Sequence, residues 1–318
     1  MPHSHHSHSG QFCKHAVGTL EEVVQEAINK RFELFGLTEH VPRYRKVDLY
    51  PEESELSLDA LSEQFDKFLD EAHRLKSIYA HKISLLVGLE TEYITDVDLT
   101  NLERILERWG GHIEYLVGSI HHVNGIPIDF DLPTYQQALA SFTDAEEEDR
   151  QESLLSAYFD AQYELMQRFK PEIIGHFDLC RLYTPSLRFA EYPAVYEKIK
   201  RNIRYAVEYG ALFEVNTAAF RKKWDTAYPA GDVVESTDFP HEIIHSLGGR
   251  FALSDDSHGP PAVGLNYHRL PEYLKAMGIA ELWYLQKSAT PNAAGRSTGA
   301  VKLEGQWSDH DFWRGRSL

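Results

Sequence analysis

The sequence predicts an α/β fold: one barrel-like domain with a mainly parallel sheet wrapped by helices. Three observations predict it. Short apolar runs alternate with amphipathic helical stretches along almost the whole chain. The β/α units number about seven, which suits one barrel better than two separate domains. The apolar runs also end, one after another, in histidine or acid.

The elements follow in order. "TLEEVVQEAINKRFELF" (19–35) begins with helical spacing at Leu20, Val23, Val24, Ala27 and Ile28, with Thr19 as its N-cap. The strand "LFGLTEH" comes next, then the helical "SLDALSEQFDKFLDEAHRLKSIYA" and the strand "ISLLVGLE". "LTNLERILERW" is helical and "EYLVGSIHH" extended. A long helical region over 134–170 breaks near Thr143–Asp144. After it come "EIIGHFD", a helix over 191–209, "ALFEVN", a helix near 240–247, and "RFALSDDSH". A final helix and "LWYLQK" close the pattern. Residues 289–306, rich in Ala, Gly, Ser and Thr, read as loop and tail without function. The domain division is therefore 1–288 for the barrel and 289–318 for a C-terminal stretch packed on it or extending from it.

Composition excludes several classes. The chain has 318 residues, 42% of them hydrophobic, enough for a sizeable core. No apolar run approaches the roughly 18 residues of a membrane span, and the start has no secretory apolar stretch. A soluble, cytoplasmic protein is expected, in keeping with only two cysteines, Cys13 and Cys180. The balance of 32 basic and 49 acidic residues, net −17, repels a phosphate backbone and argues against a nucleic-acid partner.

The polar residues concentrate where the strands end. Glu39–His40, Glu90, His121–His122, His176 with Asp178, Glu214 with Asn216, and Asp255, Asp256 and His258 close six successive runs. Any one of these alone is an ordinary helix cap or loop residue. In a parallel barrel, however, all such ends point to one face, where active sites lie. Imidazole and carboxylate without a thiolate pair suit Zn, Mn or Fe. The donors are too many for one ion, and a carboxylate such as Glu90 can bridge, so two or three metals are expected.

The opening stretch "HSHHSHSGQFCKH" (3–15), five histidines in thirteen positions, fits the same site better than it fits a disordered arm. Residues i and i+2 of a strand face one way. His6 and His8 are thus expected to share one ion, with His15 on the following loop reaching another. The alternative pair, His3 with His5, has only two residues before it to form a strand. Cys13 lies between ligand stretches, where metal contact and plain packing are both open and packing is favoured. Cys180 reads as packing.

"HSHS", "CKHA", "GLTEH", "VGLE", "VGSIHH", "IIGHFD", "FEVNT" and "SDDSHGPPAVG", in this order between residue 6 and about 265, resemble the PHP (polymerase and histidinol phosphatase) metallohydrolases. The likeness is strongest to their histidinol-phosphate phosphatases, enzymes of histidine biosynthesis. The resemblance implies a distorted (β/α)7 TIM-like barrel with three divalent transition-metal ions at the C-terminal strand ends. It places His6, His8, Glu90 and Asp256 around one metal, with Glu90 bridging to a second held by His121 and His176. His15, His40 and His258 hold the third. Two positions depart from the family pattern: Ser4 stands where an acid is common, and Asp255 where Ser is common.

The implied reaction is attack of a metal-bound hydroxide on the phosphorus of L-histidinol phosphate. Asp256 or His258 assists proton transfer to the leaving group. Arg221, Arg181 and Arg43 are the expected phosphate ligands. Glu92, Asp178 and Asn216 either meet the substrate's amine and imidazole or orient the ligand histidines. The alternatives are a PHP-type phosphoesterase acting on a phosphotyrosine peptide or a nucleotide, a barrel kept for metal storage, and an amidohydrolase-like enzyme. Filled ligand positions argue against storage, and the "GLE" and "GSIHH" placements argue against the last.

Overall fold

The computed structural model describes residues 2–234 and 244–313. The chain opens with two short strands, β1 (His3–Ser4) and β2 (Ser7–His8), and enters helix α1 (Leu20–Asn29). Thr19 caps α1 as expected, in a reciprocal box with Glu22 that typically adds about 1 kcal/mol. The helix stops well before residue 35, because Arg31 turns into the left-handed region (φ 59°) and releases the chain into β3 (Leu34–Leu37). Then follow α2 (Leu58–Tyr79), β4 (Ser84–Glu90), α3 (Asp96–Trp109) and β5 (Tyr115–Gly118). An antiparallel pair, β6 (His122–Val123) and β7 (Ile126–Pro127), leads to α4 (Leu132–Ala140) and α5 (Arg150–Phe169). The break expected near 143–144 falls between these two helices.

The second half runs β8 (Ile173–Ile174), α6 (Pro193–Tyr209), β9 (Leu212–Asn216), and the short helices α7 (Ala218–Arg221) and α8 (Gly231–Val234). It ends with β10 (Arg250–Ser254), β11 (Ser257–His258), α9 (Leu270–Ala276), β12 (Trp283–Lys287) and β13 (Thr298–Lys302). Half of the helix expected near 240–247 lies outside the described residues, and its described half, from residue 244, is turn. The stretch expected as loop and tail carries β13 instead. Thr298–Lys302 pairs antiparallel with β12, and Ala300 packs on the barrel interior with Trp283 and Tyr284. No helix among the described residues is long and apolar enough to cross a membrane.

Strands β1, β3, β4, β5, β8, β9 and β10 form one sheet in that order, every neighbouring pair parallel. At the seam between β1 and β10 a side chain replaces the ladder: Leu253 N–H donates to His3 Nε2 at 2.9 Å. One step further along, β2 pairs parallel with β11 and sets His8 opposite His258. The sheet is thereby nearly closed into a distorted seven-stranded barrel.

Strand alternation sorts the side chains into two cores. Phe35, Leu37, Leu85, Val87, Leu89, Phe213 and Leu253 point outward into the layer beneath the helices. Leu34, Leu86, Tyr115, Val117, Ile173, Leu212 and Ala252 point inward and fill the barrel. Above that apolar floor the inward positions of β3 and β4 are Gly36 and Gly88. A Cβ on Gly36 would stand 1.9 Å from the Tyr115 hydroxyl, and one on Gly88 would stand 2.7 Å from its ring. The glycines therefore make room for Tyr115, whose hydroxyl donates to His5 O at 2.8 Å. The next inward residues up are Glu90 and Glu214, where the site begins.

Candidate metal centre

Glu90, the last residue of β4, stands at the centre of five imidazoles. Its Oε1 lies 3.2 Å from His6 Nε2, 3.3 Å from His121 Nε2 and 3.1 Å from His176 Nε2. Its Oε2 lies 3.3 Å from His8 Nε2 and 2.9 Å from His40 Nδ1. Asp256 Oδ1 faces the same space, 3.7 Å from both His6 Nε2 and His8 Nε2 and 3.5 Å from His258 Nδ1. Asp256 reaches that position through a left-handed backbone (φ 47°), a costly conformation for a residue with a side chain. His15, on the loop after β2, completes the set beside His40 and His258. All nine expected ligands are thus brought together at the C-terminal end of the barrel.

The donors sort into overlapping groups whose ligand atoms lie within 4.8 Å of one another: His6, His8 and Glu90; His8, Asp256 and His258; Glu90, His121 and His176; and Cys13, His15, His40 and His258. Carboxylates behind the rings hold several of the opposite nitrogens. Glu214 Oε2 is 3.2 Å from His6 Nδ1, Glu39 Oε2 is 3.4 Å from His8 Nδ1, and Glu92 Oε1 is 3.3 Å from His121 Nδ1. Such outer contacts fix ring orientation in metal sites. Glu39 is itself anchored by the Ser9 backbone and hydroxyl at 2.8 and 2.7 Å.

Two observations test whether cations fit. His6 Nε2, both nitrogens of His8 and of His40, and Glu90 Oε2 are buried without a hydrogen-bond partner. Orphaned buried polar atoms are costly, and here they converge. Electrostatics agree. Burial works to lower His6, His8 and His121, yet neighbouring acids raise all three, His8 to about 9. Burial works to raise Glu90 and Asp256, yet the histidines, His6 first, hold both well below the usual carboxylate range. His40 is pushed down to about 3 and His15 to about 4, by burial and then by His8. The buried acids therefore require positive charge, and protons on three imidazoles occupy the place that cations would take.

A cleft of about 470 Å³ opens over these groups, lined also by Tyr50, Asp129, Phe130, Arg221 and Lys222. Of the expected phosphate ligands, Arg221 lies at the cleft: both terminal nitrogens donate to the Asp256 carbonyl at 3.2 Å, which fixes the guanidinium there. The other expected substrate contacts need correction. Arg181 is fully buried outside the cleft, clamped by Asp178 Oδ2 at 2.7 Å and Asp232 Oδ1 at 2.6 Å, with its plane over Phe189. Asp178 is spent on the same clamp. Arg43 is buried against Glu53 at 3.1 Å and lies over the Tyr50 ring, so it backs the wall and does not line it. Asn216 donates to Glu214 Oε1 at 2.7 Å and accepts from Ala218 N–H, which makes it a support for Glu214.

Sequence reasoning missed Lys222, Asp129, Tyr50, Glu52 and Phe130. Lys222 Nζ lies 3.6 Å from Asp129 Oδ2, and Tyr50 stacks on Phe130 with ring centres 5.5 Å apart. Apart from Lys222, which adjoins Arg221, these residues sit on loops or, for Glu52, a short 3-10 turn, where neither periodicity nor strand-end position marks them.

The family model described as "PHP domain" matches residues 4–218. The chain is 45% identical over 311 residues to a protein named probable histidinol-phosphatase from Schizosaccharomyces pombe, covering 97% of this chain and 96% of that one. It is 32% identical to a Saccharomyces cerevisiae protein named histidinol-phosphatase, covering 91% and 93%. Among solved structures it resembles the histidinol phosphate phosphatase of Lactococcus lactis, complexed with zinc, L-histidinol and phosphate. The TM-score is 0.59 at 18% identity, covering 89% of this chain and 95% of that one.

Proposed function

The chain belongs to the PHP family, and from that premise we propose that it hydrolyses L-histidinol phosphate to L-histidinol and phosphate, a metal-dependent phosphomonoesterase step of histidine biosynthesis in the cytoplasm. The observation that carries the reading is the convergence of hydrogen-bond-free, buried imidazole nitrogens on Glu90, beneath a cleft that presents Arg221 and Lys222.

In this reading His6, His8, Glu90 and Asp256 hold one divalent ion. Glu90 also serves a second with His121 and His176, and His15, His40 and His258 hold a third, each ion being Zn, Mn or Fe. When bound, such ions supply Lewis-acid charge for the phosphoryl oxygens and lower the cost of ionising water.

The chain's own residues do the rest. Glu214, Glu39 and Glu92 keep the ligand rings of His6, His8 and His121 turned inward. Arg221 presents a planar fork suited to two phosphoryl oxygens, and Lys222 adds a point charge. Asp256 or His258 assists proton transfer to the leaving alkoxide; His258 Nδ1 is set 3.0 Å from the Asp256 carbonyl, which defines its proton-bearing nitrogen. Glu52, Glu92 and Asp129 line the same cleft and suit the cationic amine and imidazole of the substrate. The cleft volume is that of a small-molecule site.

The test is phosphate release from L-histidinol phosphate before and after chelation, with Zn, Mn or Fe restored, beside a nucleotide and a phosphotyrosine peptide. Turnover of histidinol phosphate alone, lost on chelation and regained with metal, is expected. Preference for either other substrate would overturn the substrate, and activity indifferent to complete metal removal would overturn the site.

A further inference from the structure

The reading above leaves the thiol of Cys13, in the opening segment, unused. Its Sγ lies 3.2 Å from His15 Nε2. It shares a cluster with His15, His40 and His258 in which all four donor atoms lie within 4.8 Å of one another. Ligands of one tetrahedral zinc, at the usual Zn–S and Zn–N lengths, stand about 3.5 Å apart, so the sulfur has the spacing of a fourth donor.

The loop is built to hold it there. Cys13 N–H donates to Ser9 O at 2.8 Å, Gly10 N–H to Val17 O at 3.2 Å, and Val17 N–H to His258 O at 3.3 Å. These bonds turn residues 9–17 back on themselves and tie them to the strand that carries His258. Cys13 and His15, two residues apart, then face the same space, Cys13 from the buried side and His15 from the rim.

A second observation shows that this side of the site calls for positive charge. His8 is wholly buried, and its ring nitrogens face carboxylates without a well-formed hydrogen bond, Nδ1 at 3.4 Å from Glu39 Oε2 and Nε2 at 3.3 Å from Glu90 Oε2. It stacks on His40 at 4.2 Å and lies 4.6 Å from His258. A nitrogen of His8 also falls within 4.8 Å of Cys13 Sγ and of the Glu39 carboxylate, one oxygen of which is likewise unpartnered.

We propose that Cys13 binds as a thiolate to the cation held by His15, His40 and His258, making that position a one-cysteine, three-histidine site. The proposal rests on the three-ion reading above. On binding, the S–H bond gives its proton to solvent and an S–metal bond forms; nothing is oxidised or reduced. A soft sulfur donor strengthens the preference for zinc or cobalt over manganese at this position beyond that of the imidazole and carboxylate positions.

The test uses the full chain, stripped by chelation and reloaded with Co(II), with cobalt counted by elemental analysis. Wild type is expected to take up three cobalt ions per chain and to show a near-ultraviolet thiolate-to-cobalt charge-transfer band. Cys180→Ser keeps the band. Because the chain has only two cysteines, the band in that variant can come only from Cys13, even if a Cys13 variant fails to fold. Cys13→Ser loses the band, keeps the visible cobalt absorption of the other sites, and holds its third zinc at least tenfold more weakly against a competing chelator. Three cobalt ions without the band, or a band that survives in Cys13→Ser, overturns the thiolate and leaves the three-ion reading standing. Uptake of fewer than three ions, unchanged by His258→Ala, overturns the three-ion reading and the thiolate with it.

Discussion

The opening segment, from β1 to β2, carries two His-x-His pairs of the same spacing and the same complete burial: His3 with His5, and His6 with His8. The strand breaks between them, which sends the two pairs to different surroundings. His3 Nε2 accepts the Leu253 amide at the barrel seam, and His5 Nε2 accepts the Leu285 amide at the floor. His6 and His8 instead meet Glu90, Asp256, Glu214 and Glu39. Burial, with His3 adding to it, pushes His5 well below its ordinary value, whereas the acids carry His6 and His8 above theirs. An imidazole that faces amides stays a neutral acceptor. One that faces buried carboxylates is a cation or a cation's ligand. Neighbours decide, and neither spacing nor burial does.

Replacing one member of each pair separates them most sharply. His8→Ala removes a ligand and lowers kcat on the order of 10³-fold, about 4 kcal/mol of barrier, with loss of bound metal by elemental analysis. His5→Ala leaves the Leu285 amide unpartnered and costs about 1–3 kcal/mol in a thermal or urea melt, with metal content intact. A His5 variant that folds but loses metal would break the comparison.

The arginines repeat it. Arg181 neutralises two carboxylates, one of them, Asp178, fully buried, so Arg181→Met costs about 3 kcal/mol of stability and leaves KM for histidinol phosphate unmoved. Arg221→Met costs on the order of 10²-fold in kcat/KM, about 2.7 kcal/mol, and leaves the melt nearly unchanged. Exchanged outcomes would mean that the cleft has been assigned to the wrong cation.

The same contrast shows what the sequence makes legible. Inward and outward alternation is visible once "LLVGLE" is read as a strand, and it puts Glu90 on the inner face at the top. The six polar strand ends then mark the candidate site without any distance. Arg181 misleads because its nearer partner, Asp178, sits three residues away and reads equally well as a substrate ligand. Its second partner, Asp232, lies across the fold. Tyr50, Asp129 and Phe130 enter the cleft from loops, whose paths depend on packing that no periodicity encodes.

Proton bookkeeping offers a milder test. His6, His8 and His121 are raised, so without metal they carry protons at neutral pH, and coordination requires the neutral ring. Metal uptake at pH 7 therefore releases protons, and affinity rises with pH until it passes the raised values, about 9 for His8. Calorimetry in two buffers of different ionisation enthalpy reads this directly. His5→Ala leaves the proton count unchanged, and His8→Ala lowers it. Equal release from both variants would place His5 in the titrating set and end the distinction.

The smallest expected effect lies within the first pair, at Ser4. Ser4 and Asp255, the two departures from the family pattern, touch: Ser4 Oγ donates to Asp255 Oδ1 at 2.7 Å and accepts the Asp255 amide at 3.1 Å. The other carboxylate oxygen takes the Gly264 amide at 2.6 Å. The contact joins β1 to the turn in which Asp256 holds its left-handed conformation. Together the two positions hold one acid and one hydroxyl, in the reverse of the order the family resemblance implies. Ser4→Asp alone sets a second buried carboxylate against the first, and Asp255→Ser alone leaves the Gly264 amide short of an acceptor. The double variant restores one acid and one hydroxyl across the seam. Its stability should exceed the sum of the single losses by about 1 kcal/mol in a double-mutant cycle, with metal content recovered. Strict additivity would mean that the two positions vary independently and that Asp256 is held by the Arg221 contacts to its carbonyl alone.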